Sequence, residues 1–576
     1  MKASRSFQID KKWKFLDRKS PVFSSDKIQP EIIKILTNRG IKSEKEALDF
    51  LSPSYEKLAD PYQLPDMKEA VKMIITAVED KRKIAIYGDY DVDGIAATAI
   101  LVKFFRKINA EVIYYVPSRE DEGYGLHKKA ITQLKKEKVS LIITVDCGSM
   151  AIEEVDYVKK LGLDIIVTDH HALGVSSQKV TLPKTLIINP KRCRRNDSFY
   201  NLSGAGVAFY LVRALQKHFL EVFPAGQEKW LLDLVALGTI CDVVPLLSDN
   251  RILAKFGLLV LSKSRHIGLG VLAKVTEMNL VNVDSHKIGF IFGPRLNASG
   301  RLENAQKSLE LLLTEDQDKA FKIAKNLNEL NMKRQEITEK IVAEAKEFIA
   351  QKNYDKDRKI LLLANKNWPA GVVGIAASRL VEEYSRPVLV MEEAGQELRG
   401  SARSISRFNI IEALSKCSEC FIQFGGHAQA AGFKLKKKHL LLLDEKLLAI
   451  TEKEIKASDL QPEIFVIGEI MIKNIDRELV KELQKLEPYG TDNYKPVFVK
   501  RGAKIEEADL VGSGKNHLRL ILSEEGTAIG GIAFKFGKEY KLKTGDIIDL
   551  AFTIEINEWK NRQKIDLHII DVKKNK

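Results

Sequence analysis

The chain has few cysteines and no long apolar run, and each absence removes a class of protein. Five cysteines among 576 residues are too few for a disulfide framework, so we expect a reducing, cytoplasmic environment. No apolar run approaches the length of a membrane-spanning helix, and no signal-like apolar segment follows Met1 and Lys2. Internal repeats and low-complexity segments are also absent. The sequence therefore predicts neither a secreted nor a membrane-embedded protein.

Cys417 and Cys420 are separated by two residues, a spacing that some zinc and redox motifs share. No second cysteine pair accompanies them. We therefore interpret both as structural residues, with a metal or redox role as the minor alternative.

Positive charge is in excess. Lys and Arg number 92 against 78 Asp and Glu, a formal net charge of +14, and the pI is about 9.1. This balance suits a polyanionic partner such as nucleic acid, although it says nothing about fold. With 45% hydrophobic residues, the chain can bury several cores, and its length indicates three or four domains.

The most informative motif is Gly-Asp-Tyr-Asp-Val-Asp-Gly at residues 88–94, which follows the apolar run Ile84-Ala85-Ile86. Asp89, Asp91 and Asp93 stand at alternate positions before a helix-like run, at the carboxyl end of a predicted strand. Open α/β sheets bind ligands there. Three adjacent carboxylates favour a divalent cation. Asp and Gly are also common turn residues, so the motif alone fits a plain turn equally well.

Two further strand ends carry the same kind of side chain. Asp146 follows the apolar run at 141–145, and Asp169, His170 and His171 follow the run at 163–168, with a helix-like segment between. This βαβ pattern predicts parallel strands whose carboxyl ends share one edge. Asp242 follows a mostly apolar run and precedes Val243-Val244-Pro245. By itself, this pattern predicts a turn at the end of a helix.

Together these residues predict a metal centre. Mixed His and Asp sites suit Mn²⁺, Zn²⁺ or Fe²⁺, and carboxylates alone suit Mg²⁺. The set is too anionic for one ion, and two metals about 3.5–4 Å apart are usual for attack at phosphorus. We expect Asp146 to bridge the ions, and His171 to face the phosphate as a further catalytic residue. The six expected ligands are Asp89, Asp91, Asp93, Asp146, His170 and Asp242.

The motif at 88–94 and Asp169-His170-His171 resemble the DHH phosphoesterase superfamily. Further blocks resemble, within it, the RecJ family of bacterial exonucleases, and together they extend from about Tyr87 to Phe433. These blocks cover residues 118–126, 293–301, 371–379, 400–404 and 425–433. The resemblance implies a single-stranded-DNA-specific 5′-to-3′ exonuclease of DNA repair and recombination, which releases mononucleotides with two Mn²⁺ or Mg²⁺ ions.

The resemblance also implies substrate contacts. Arg301, Ser401 and Arg403 would hold the terminal phosphate, and His427 would face the scissile phosphate beside Gly425 and Gly426. Arg119 would contact phosphate and Tyr124 would stack on a base, although a polar loop with a packed Tyr explains that block equally well. Arg295 and Asn297 complete the expected substrate-binding set. RecJ-type enzymes often work with a single-strand-binding protein and a RecQ-type helicase, and we expect a monomer.

Two places depart from the family pattern. Pro369 stands where many relatives have a His between the Trp and the Gly, and residues 488–496 are a looser version of a Gly- and Pro-rich family turn. Two alternatives to the exonuclease stay open. One is a DHH-type phosphodiesterase of short oligoribonucleotides or cyclic dinucleotides, and the other is an inactive DHH scaffold that binds single-stranded DNA.

The expected fold class is α/β, in five regions. A helical segment (1–60) precedes a DHH catalytic core with a parallel sheet (61–301), connecting helices (302–355), a second α/β DHH-associated domain (356–454) and an OB-like β-barrel that binds nucleic acid (455–576). In the last region the pattern predicts strands at 464–472, 497–499, 517–522, 547–554 and 565–572, with a helix at 477–486.

Overall fold

The structure, a computed structural model, describes residues 11–16, 22–119, 122–174, 181–263, 265–512, 514–537, 542–559 and 562–574. The chain divides into two units. One comprises Leu58–Val244 and Ser248–Gln461, and the other comprises Met1–Lys57, Pro245–Leu247 and Pro462–Lys576.

The elements follow one another in chain order. Before residue 58 they are β1 (Lys12–Phe15), α1 (Pro30–Asn38) and α2 (Glu44–Leu51). The first α/β region contains α3 (Met67–Glu79), β2 (Ile84–Gly88), α4 (Val92–Lys107), β3 (Val112–Tyr115), α5 (Lys128–Lys136), β4 (Leu141–Val145), α6 (Ile152–Lys160), β5 (Asp164–Thr168) and β6 (Leu186–Ile188). Helices follow as α7 (Gly204–Gln216), α8 (Leu232–Cys241), α9 (Ser248–Lys263), α10 (Ile267–Val275), α11 (Ser285–Lys287), a π-helix (Ile288–Phe292), α12 (Gly293–Leu302), α13 (Gln306–Leu313), α14 (Gln317–Lys352) and α15 (Tyr354–Asp357).

The second α/β region contains β7 (Leu361–Asn365), α16 (Ala370–Tyr384), β8 (Val388–Ala394), β9 (Glu397–Arg403), α17 (Ile410–Ser415), β10 (Phe421–His427), β11 (Ala430–Lys436) and α18 (Leu440–Glu454). The remaining elements are β12 (Glu463–Val466), β13 (Gly468–Glu469), α19 (Arg477–Lys485), β14 (Phe498–Val511), β15 (His517–Glu524), β16 (Thr527–Ala533), β17 (Ile547–Trp559) and β18 (Arg562–Lys574).

The first sheet is parallel throughout, with strand order β3-β2-β4-β5-β6. Every residue of β2 and β4 is buried, as expected for strands covered on both faces. The carboxyl ends of β2, β4 and β5 therefore lie side by side. The predicted parallel arrangement is confirmed, and β4 stands between the other two strands.

Helix α4 is apolar on all sides and is buried almost throughout. A helix of this kind belongs in a core, and α4 packs against α7 and α8. Its amino terminus starts directly after β2. Asp91 is the N-cap residue, and its side chain accepts hydrogen bonds from the backbone N–H groups of Asp93 (2.9 Å) and Gly94 (3.0 Å).

Helix α14 has 36 residues, so it is about 54 Å long at 1.5 Å per residue. The predicted long connecting helices are confirmed. The carboxyl-terminal part of α14 buries Ile341, Ala345 and Ile349 in a core that includes Val372 and Val373 of α16. This packing ties α14 to the second α/β region.

The second sheet has the order β10-β11-β9-β8-β7. Strands β7 and β8 are parallel and are joined through α16, and the remaining neighbours are antiparallel. The second α/β domain is thus also confirmed. Its edge strand β10 ends in the Gly-Gly-His sequence, which is largely exposed.

The carboxyl-terminal region forms a closed five-stranded barrel. Strands β14, β15, β16, β18 and β17 are neighbours in that order, and β17 pairs back onto β14. All neighbouring pairs in the barrel are antiparallel except β16 and β18, which are parallel. A five-stranded Greek-key barrel of this kind is the OB-fold, so the predicted OB-like barrel is confirmed.

Two strand assignments in this region differ from the expectation. The segment at 464–472 divides into β12 and β13, and β12 lies outside the barrel because it pairs in parallel with β1. Strand β16 was not expected. Gly530 and Gly531 interrupt its alternation, and glycine weakens the strand signal. Gly530 fits because a Cβ there would lie 2.6 Å from Oδ1 of Asp566 on β18.

No single helix in the described part of the chain is long and apolar enough to span a membrane. One pair of helices, α9 and α10, meets the length and composition criteria only when joined across a 76° bend.

Candidate metal centre

The six expected ligands converge at the carboxyl edge of the first sheet. Asp89 and Asp91 follow β2, Asp93 lies in the first turn of α4, Asp146 follows β4, and His170 follows β5. The sixth, Asp242, is the residue that ends α8. The backbone of Asp146 has a φ of +62°, a left-handed conformation that Asp tolerates better than most residues. Unusual backbone of this kind is concentrated at functional sites.

The ligand atoms form two neighbouring groups. In each group, the atoms lie within 4.8 Å of one another: Asp89, Asp91 and Asp146 in the first, and Asp93, His170 and Asp242 in the second. Nε2 of His170 lies 3.0 Å from Oδ1 of Asp146, 3.5 Å from Oδ2 of Asp242 and 3.8 Å from Oδ2 of Asp93. Asp146 therefore stands between the groups.

Three of these atoms are buried without a hydrogen-bond partner among the described residues. They are Oδ1 of Asp89, Oδ1 of Asp146 and Nε2 of His170; the last two atoms lie 3.0 Å apart but not in hydrogen-bond geometry. Buried polar atoms are nearly always satisfied, so an orphaned set requires a ligand. Carboxylate oxygens with one imidazole nitrogen suit Mn²⁺, and the oxygens also suit Mg²⁺. The residues present thus fit two divalent cations.

The electrostatics of the centre agree with this fit. Burial, together with repulsion from neighbouring carboxylates, raises the pKa of Asp93 to about 7 and that of Asp242 to about 9. The same causes raise the pKa values of Asp89 and Asp146 well above their ordinary value. Burial, assisted by the charge of His171, lowers the pKa of His170 to about 3, so its imidazole is neutral and can act as a ligand.

Close backbone contacts fix two of the carboxylates. Asp93 accepts hydrogen bonds from the backbone N–H groups of Gly204 (2.6 Å) and Ala205 (2.9 Å), at the amino terminus of α7. Gly204 also touches Asp146, because a Cβ at this position would lie 2.6 Å from the Cβ of Asp146. A larger residue at 204 would displace that carboxylate.

Asp169 is a further residue of this site, and the motif pattern alone predicted no role for it. Its carboxylate accepts hydrogen bonds from the backbone N–H groups of Ser149 (2.9 Å), His170 (2.7 Å) and His171 (3.1 Å). Its Oδ1 also lies 2.8 Å from Nδ1 of His171. Asp169 thereby orients both histidines, and its place in the Asp-His-His motif was the available signal.

The contact with Asp169 changes the charge of both residues. Although burial opposes protonation of His171, its hydrogen bond to Asp169 raises the pKa of the imidazole to about 9. Although burial opposes ionisation of Asp169, His171 holds the pKa of this carboxyl well below its usual range. His171 is therefore a cation at neutral pH. Its ring also contacts Tyr124, whose hydroxyl lies 3.1 Å from Nδ1.

Four of the expected phosphate ligands form a cationic group: Arg119, Arg301, Ser401 and Arg403. Arg403 donates from Nη1 to Oγ of Ser401 (2.7 Å), and Arg301 donates from Nη1 to the carbonyl of Gly371 (3.2 Å). Burial, with the charges of Arg119, Arg334 and Arg403, lowers the pKa of Arg301 to about 9. Arg119 lies over the ring of Tyr90, 5.3 Å from its centroid. Within the described chain, none of these arginines pairs with a carboxylate.

The other predicted substrate residues form no hydrogen bond with this group within the described part of the chain. Arg295 donates to Oδ1 of Asn328 (2.9 Å) and the carbonyl of Ile291 (2.8 Å), and Asn297 is half-buried on the same helix, α12. Gly425, Gly426 and His427 lie on β10, where His427 is exposed and has no hydrogen bond to a predicted metal ligand in the described residues. Glu120 and Asp121, beside Arg119, lie outside the described residues.

Gly426 is required by its surroundings. Its φ is +151°, and a Cβ would lie 2.3 Å from the carbonyl oxygen of Ala430. Pro369, where the family pattern has His, is the N-cap residue of α16 and offers no donor, while the preceding Trp368 donates from Nε1 to Glu344 (2.8 Å).

Comparison with known proteins gives matches along most of the chain. Three family models match: the N-terminal domain of the DHH family (residues 83–239), the DHHA1 domain (357–456) and the RecJ OB domain (468–571). The single-stranded-DNA-specific exonuclease RecJ of Bacillus subtilis is 36% identical over 94% of this chain and 68% of its own length. The protein of that name from Haemophilus influenzae is 33% identical, over 96% of this chain and 97% of its length.

Solved structures agree. The crystal structure of RecJ from Thermus thermophilus in complex with Mn²⁺ superposes with a TM-score of 0.82, at 28% identity, over 98% of this chain and 80% of that one. The complex of the same protein with Mg²⁺ has a TM-score of 0.77, at 26% identity, over 98% and 79%.

Proposed function

The chain belongs to the RecJ family of single-stranded-DNA-specific exonucleases, and we propose that it hydrolyses a DNA single strand from the 5′ end, releasing mononucleotides. The observation that carries this proposal is the convergence of six metal ligands at one sheet edge, three of whose atoms are buried without a partner among the described residues. The intact ligand set argues against an inactive scaffold. DNA repair and recombination are the processes that this activity serves.

We assign the metal ligands as follows. Asp89, Asp91 and Asp146 would hold one divalent ion, while Asp93, His170 and Asp242 would hold a second, with Asp146 shared between them. Mn²⁺ or Mg²⁺ is the expected metal, since structures of the Thermus relative contain each of them. When bound, two such ions neutralise charge on the phosphate and make the attacking water more acidic.

His171 would stabilise the charge that develops on the phosphate. Its Nδ1 is engaged by Asp169, so the proton on Nε2 is the one left to donate to a phosphate oxygen. Asp169 keeps the imidazole protonated, and Tyr124 supports its orientation. A preorganised donor that already carries positive charge is an effective way to stabilise a transition state.

The cationic group would fix the end of the strand. Arg301, Ser401 and Arg403, with Arg119, present donors for phosphate and lack carboxylate partners in the described chain. Arginine offers a planar fork that matches phosphate oxygens. Anchoring a 5′-terminal phosphate would place the adjacent phosphodiester at the metal centre, which accounts for one nucleotide per cleavage. We propose Arg295, Asn297, Tyr124, Gly425, Gly426 and His427 as further strand contacts.

The barrel would hold the strand without reading its sequence. Phe534 is 45% exposed, and its ring stands between those of His517 (5.2 Å) and His568 (5.1 Å). Exposed aromatic rings on an OB-fold offer stacking surfaces for bases. We propose this cluster as a strand-binding surface, and we retain the five-region division at 1–60, 61–301, 302–355, 356–454 and 455–576 as the functional domains.

Several further statements are part of the proposal. A monomer in the cytoplasm, acting with a single-strand-binding protein and a RecQ-type helicase, is consistent with the family to which the chain belongs. Co-purification of tagged chain with either partner, compared between wild-type and a chain lacking the barrel, would test the partners.

The deciding experiment compares one DNA strand labelled at its 5′ end with the same strand labelled at its 3′ end, each incubated with Mn²⁺. Immediate release of labelled mononucleotide from the 5′ label alone supports the proposal. Early release from the 3′ label alone would show that degradation starts at the 3′ end, and would contradict the proposed polarity. Hydrolysis confined to dinucleotides or short RNA would instead identify a small-substrate phosphodiesterase.

A further inference from the structure

Arg334, on α14, is a buried arginine with no anionic partner among the residues that the structure describes. Its residue surface is 8% exposed. Nη2 donates to Oδ1 of Asn331 (2.9 Å), and Nε is buried without any hydrogen bond. Burial of an uncompensated charge is strongly unfavourable. A guanidinium retained in this position therefore indicates a missing anion.

The polar groups described near Arg334 are the side-chain amides of Asn331 and Asn328 and the guanidinium groups of two other arginines. Arg295 reaches α14 from α12 and donates from Nε to Oδ1 of Asn328, one helical turn before Asn331. Burial, followed by the charges of Arg379 on α16 and of Arg295, lowers the pKa of Arg334. Neither Arg295 nor Arg379 pairs with a carboxylate in the described part of the chain. Helices α12, α14 and α16, which carry the three guanidinium groups, pack against one another.

This helix junction adjoins the cationic group of the active centre. The charge of Arg334 also reaches Arg301 and helps to lower its pKa. Arg301 is the penultimate residue of α12, and Gly371 in the first turn of α16 approaches so closely that a Cβ there would lie 2.3 Å from the Arg301 carbonyl. Helices α12, α14 and α16 pack against one another, so Arg334 lies at the same helix junction as Arg301.

We propose that Arg295, Arg334 and Arg379 form a second phosphate-binding site at the junction of α12, α14 and α16, which takes condensed phosphate. Condensed phosphate carries several adjacent negative charges, and a cluster of guanidinium forks can bind several of its oxyanions at once. It could arrive as the outer phosphates of a 5′-triphosphate end or as free polyphosphate. The first source rests on the proposed function, and the second does not.

The first test measures binding without hydrolysis. Full-length protein in EDTA is titrated with inorganic tripolyphosphate by calorimetry, comparing wild-type with Arg334→Gln, Arg379→Gln and, as the matched control, Lys333→Gln at the exposed neighbour of Arg334. We expect wild-type and Lys333→Gln to bind equally, and each arginine variant to bind at least about tenfold more weakly. Absence of wild-type binding, or equal binding by all four proteins, overturns the proposal.

Arg379→Gln keeps the test decisive if the buried Arg334 variant fails to fold, because Arg379 is only partly buried. Circular dichroism of each variant establishes folding before the titration.

The second test identifies the source of the phosphate. Hydrolysis of a strand with a 5′-triphosphate is compared with that of the same strand with a 5′-monophosphate, in the presence of Mn²⁺. If Arg379→Gln lowers kcat/KM about tenfold for the triphosphate end alone, the strand is the source. Weaker tripolyphosphate binding without this selective loss identifies free polyphosphate as the ligand.

Two outcomes separate this inference from the proposed function. An equal loss on both strands would assign Arg379 to the strand backbone and overturn the second site. If wild-type hydrolyses neither strand, the proposed function fails, while the tripolyphosphate titration still decides whether the site exists.

Discussion

At the scale of single residues, the most consequential contact is that between Asp169 and His171. It makes His171 a cation at neutral pH, because a charge-assisted hydrogen bond outweighs the cost of burial. The contact also holds the loop in which His170 must present Nε2 to Asp146 and Asp242. Asp169 is thus a positioning residue that acts through its two neighbours.

Replacing Asp169 should change how the rate depends on pH. The hydrogen bond to Asp169 raises the pKa of His171, so its proton is present below this raised pKa and is lost as the pH rises through it. In Asp169→Asn the pKa should fall towards its ordinary value of about 6.5, and the alkaline limb of kcat/KM should move to lower pH. We expect a loss of about 10- to 100-fold at mildly alkaline pH.

The measurement is kcat/KM for a labelled strand across neutral and alkaline pH at saturating Mn²⁺. Asp156→Asn, at an exposed carboxylate on α6, is the control and should leave the profile unchanged. An alkaline limb that stays in place in Asp169→Asn would show that His171 does not titrate as proposed.

At the scale of elements, three helix ends add to the metal centre that forms at the carboxyl ends of the strands. The amino terminus of α7 donates to Asp93, the carboxyl terminus of α8 presents Asp242, and the amino terminus of α4 carries Asp91 and Asp93. These helices approach the sheet closely because glycines occupy the contacts. A Cβ on Gly238 of α8 would lie 2.4 Å from Oδ1 of Asp93.

Gly204→Ala should therefore weaken metal binding without unfolding the protein. The added methyl group would displace the carboxylate of Asp146, which both ligand groups share. We expect the apparent affinity for Mn²⁺ to fall about tenfold or more, judged by the effect of disturbing groups that orient ligands.

The comparison for this variant is Gly289→Ala, where a Cβ would meet nothing within 4 Å. Calorimetric Mn²⁺ titration and thermal unfolding of both variants give the result. Unchanged affinity in Gly204→Ala would mean that Asp146 can move without loss of its ligand role.

The aromatic cluster of the barrel should contribute to strand affinity rather than to chemistry. Phe534→Ala removes the exposed ring between His517 and His568. Stacking of one base contributes about 1–3 kcal/mol, so binding to a long strand in EDTA should weaken about fivefold or more. Fluorescence anisotropy measures this, with Phe465→Ala, at an exposed ring outside the barrel, as the reference. Equal affinities for both variants would remove the cluster from the binding surface.

At the scale of the whole molecule, the metal centre opposes folding unless cations are present. Buried carboxylates with raised pKa values repel one another, and a ligand that binds only the folded state stabilises it by mass action. Mn²⁺ at 100 times its Kd should add about 2.7 kcal/mol to the free energy of unfolding of the unit that holds the centre.

Thermal unfolding with EDTA and with Mn²⁺ tests this expectation. The wild-type transition temperature should be lower in EDTA than in Mn²⁺. In Asp146→Asn most of this difference should disappear. The variant should also be more stable than wild-type in EDTA, because one buried carboxylate is removed. Asp156→Asn should respond to Mn²⁺ as wild-type does. If Asp146→Asn keeps the full response, the metal binds elsewhere.

Much of the fold and the convergence of the candidate ligands was predictable, since both depend on local pattern. An apolar run followed by Asp predicts a strand and a ligand at its end, and alternating strands and helices predict a parallel sheet. Asp89, Asp91, Asp93, Asp146 and His170 follow from that rule. Strand β16 could not be predicted in this way, because Gly530 and Gly531 interrupt the alternation of apolar and polar residues. Its pairing with β15 and β18 stabilises it in the fold.

The sequence by itself determined which side chains stand at the ends of strands, because period and chain order are local properties. Only the tertiary structure decided which distant groups meet them. Asp242 reaches His170 through the packing of α8, the helices α12, α14 and α16 that carry the arginines pack together, and β1 pairs with the distant strand β12. Such contacts depend on how closely helices and strands approach. Glycines at the contacts and buried charges fix those distances, and neither leaves a periodic signal in the chain.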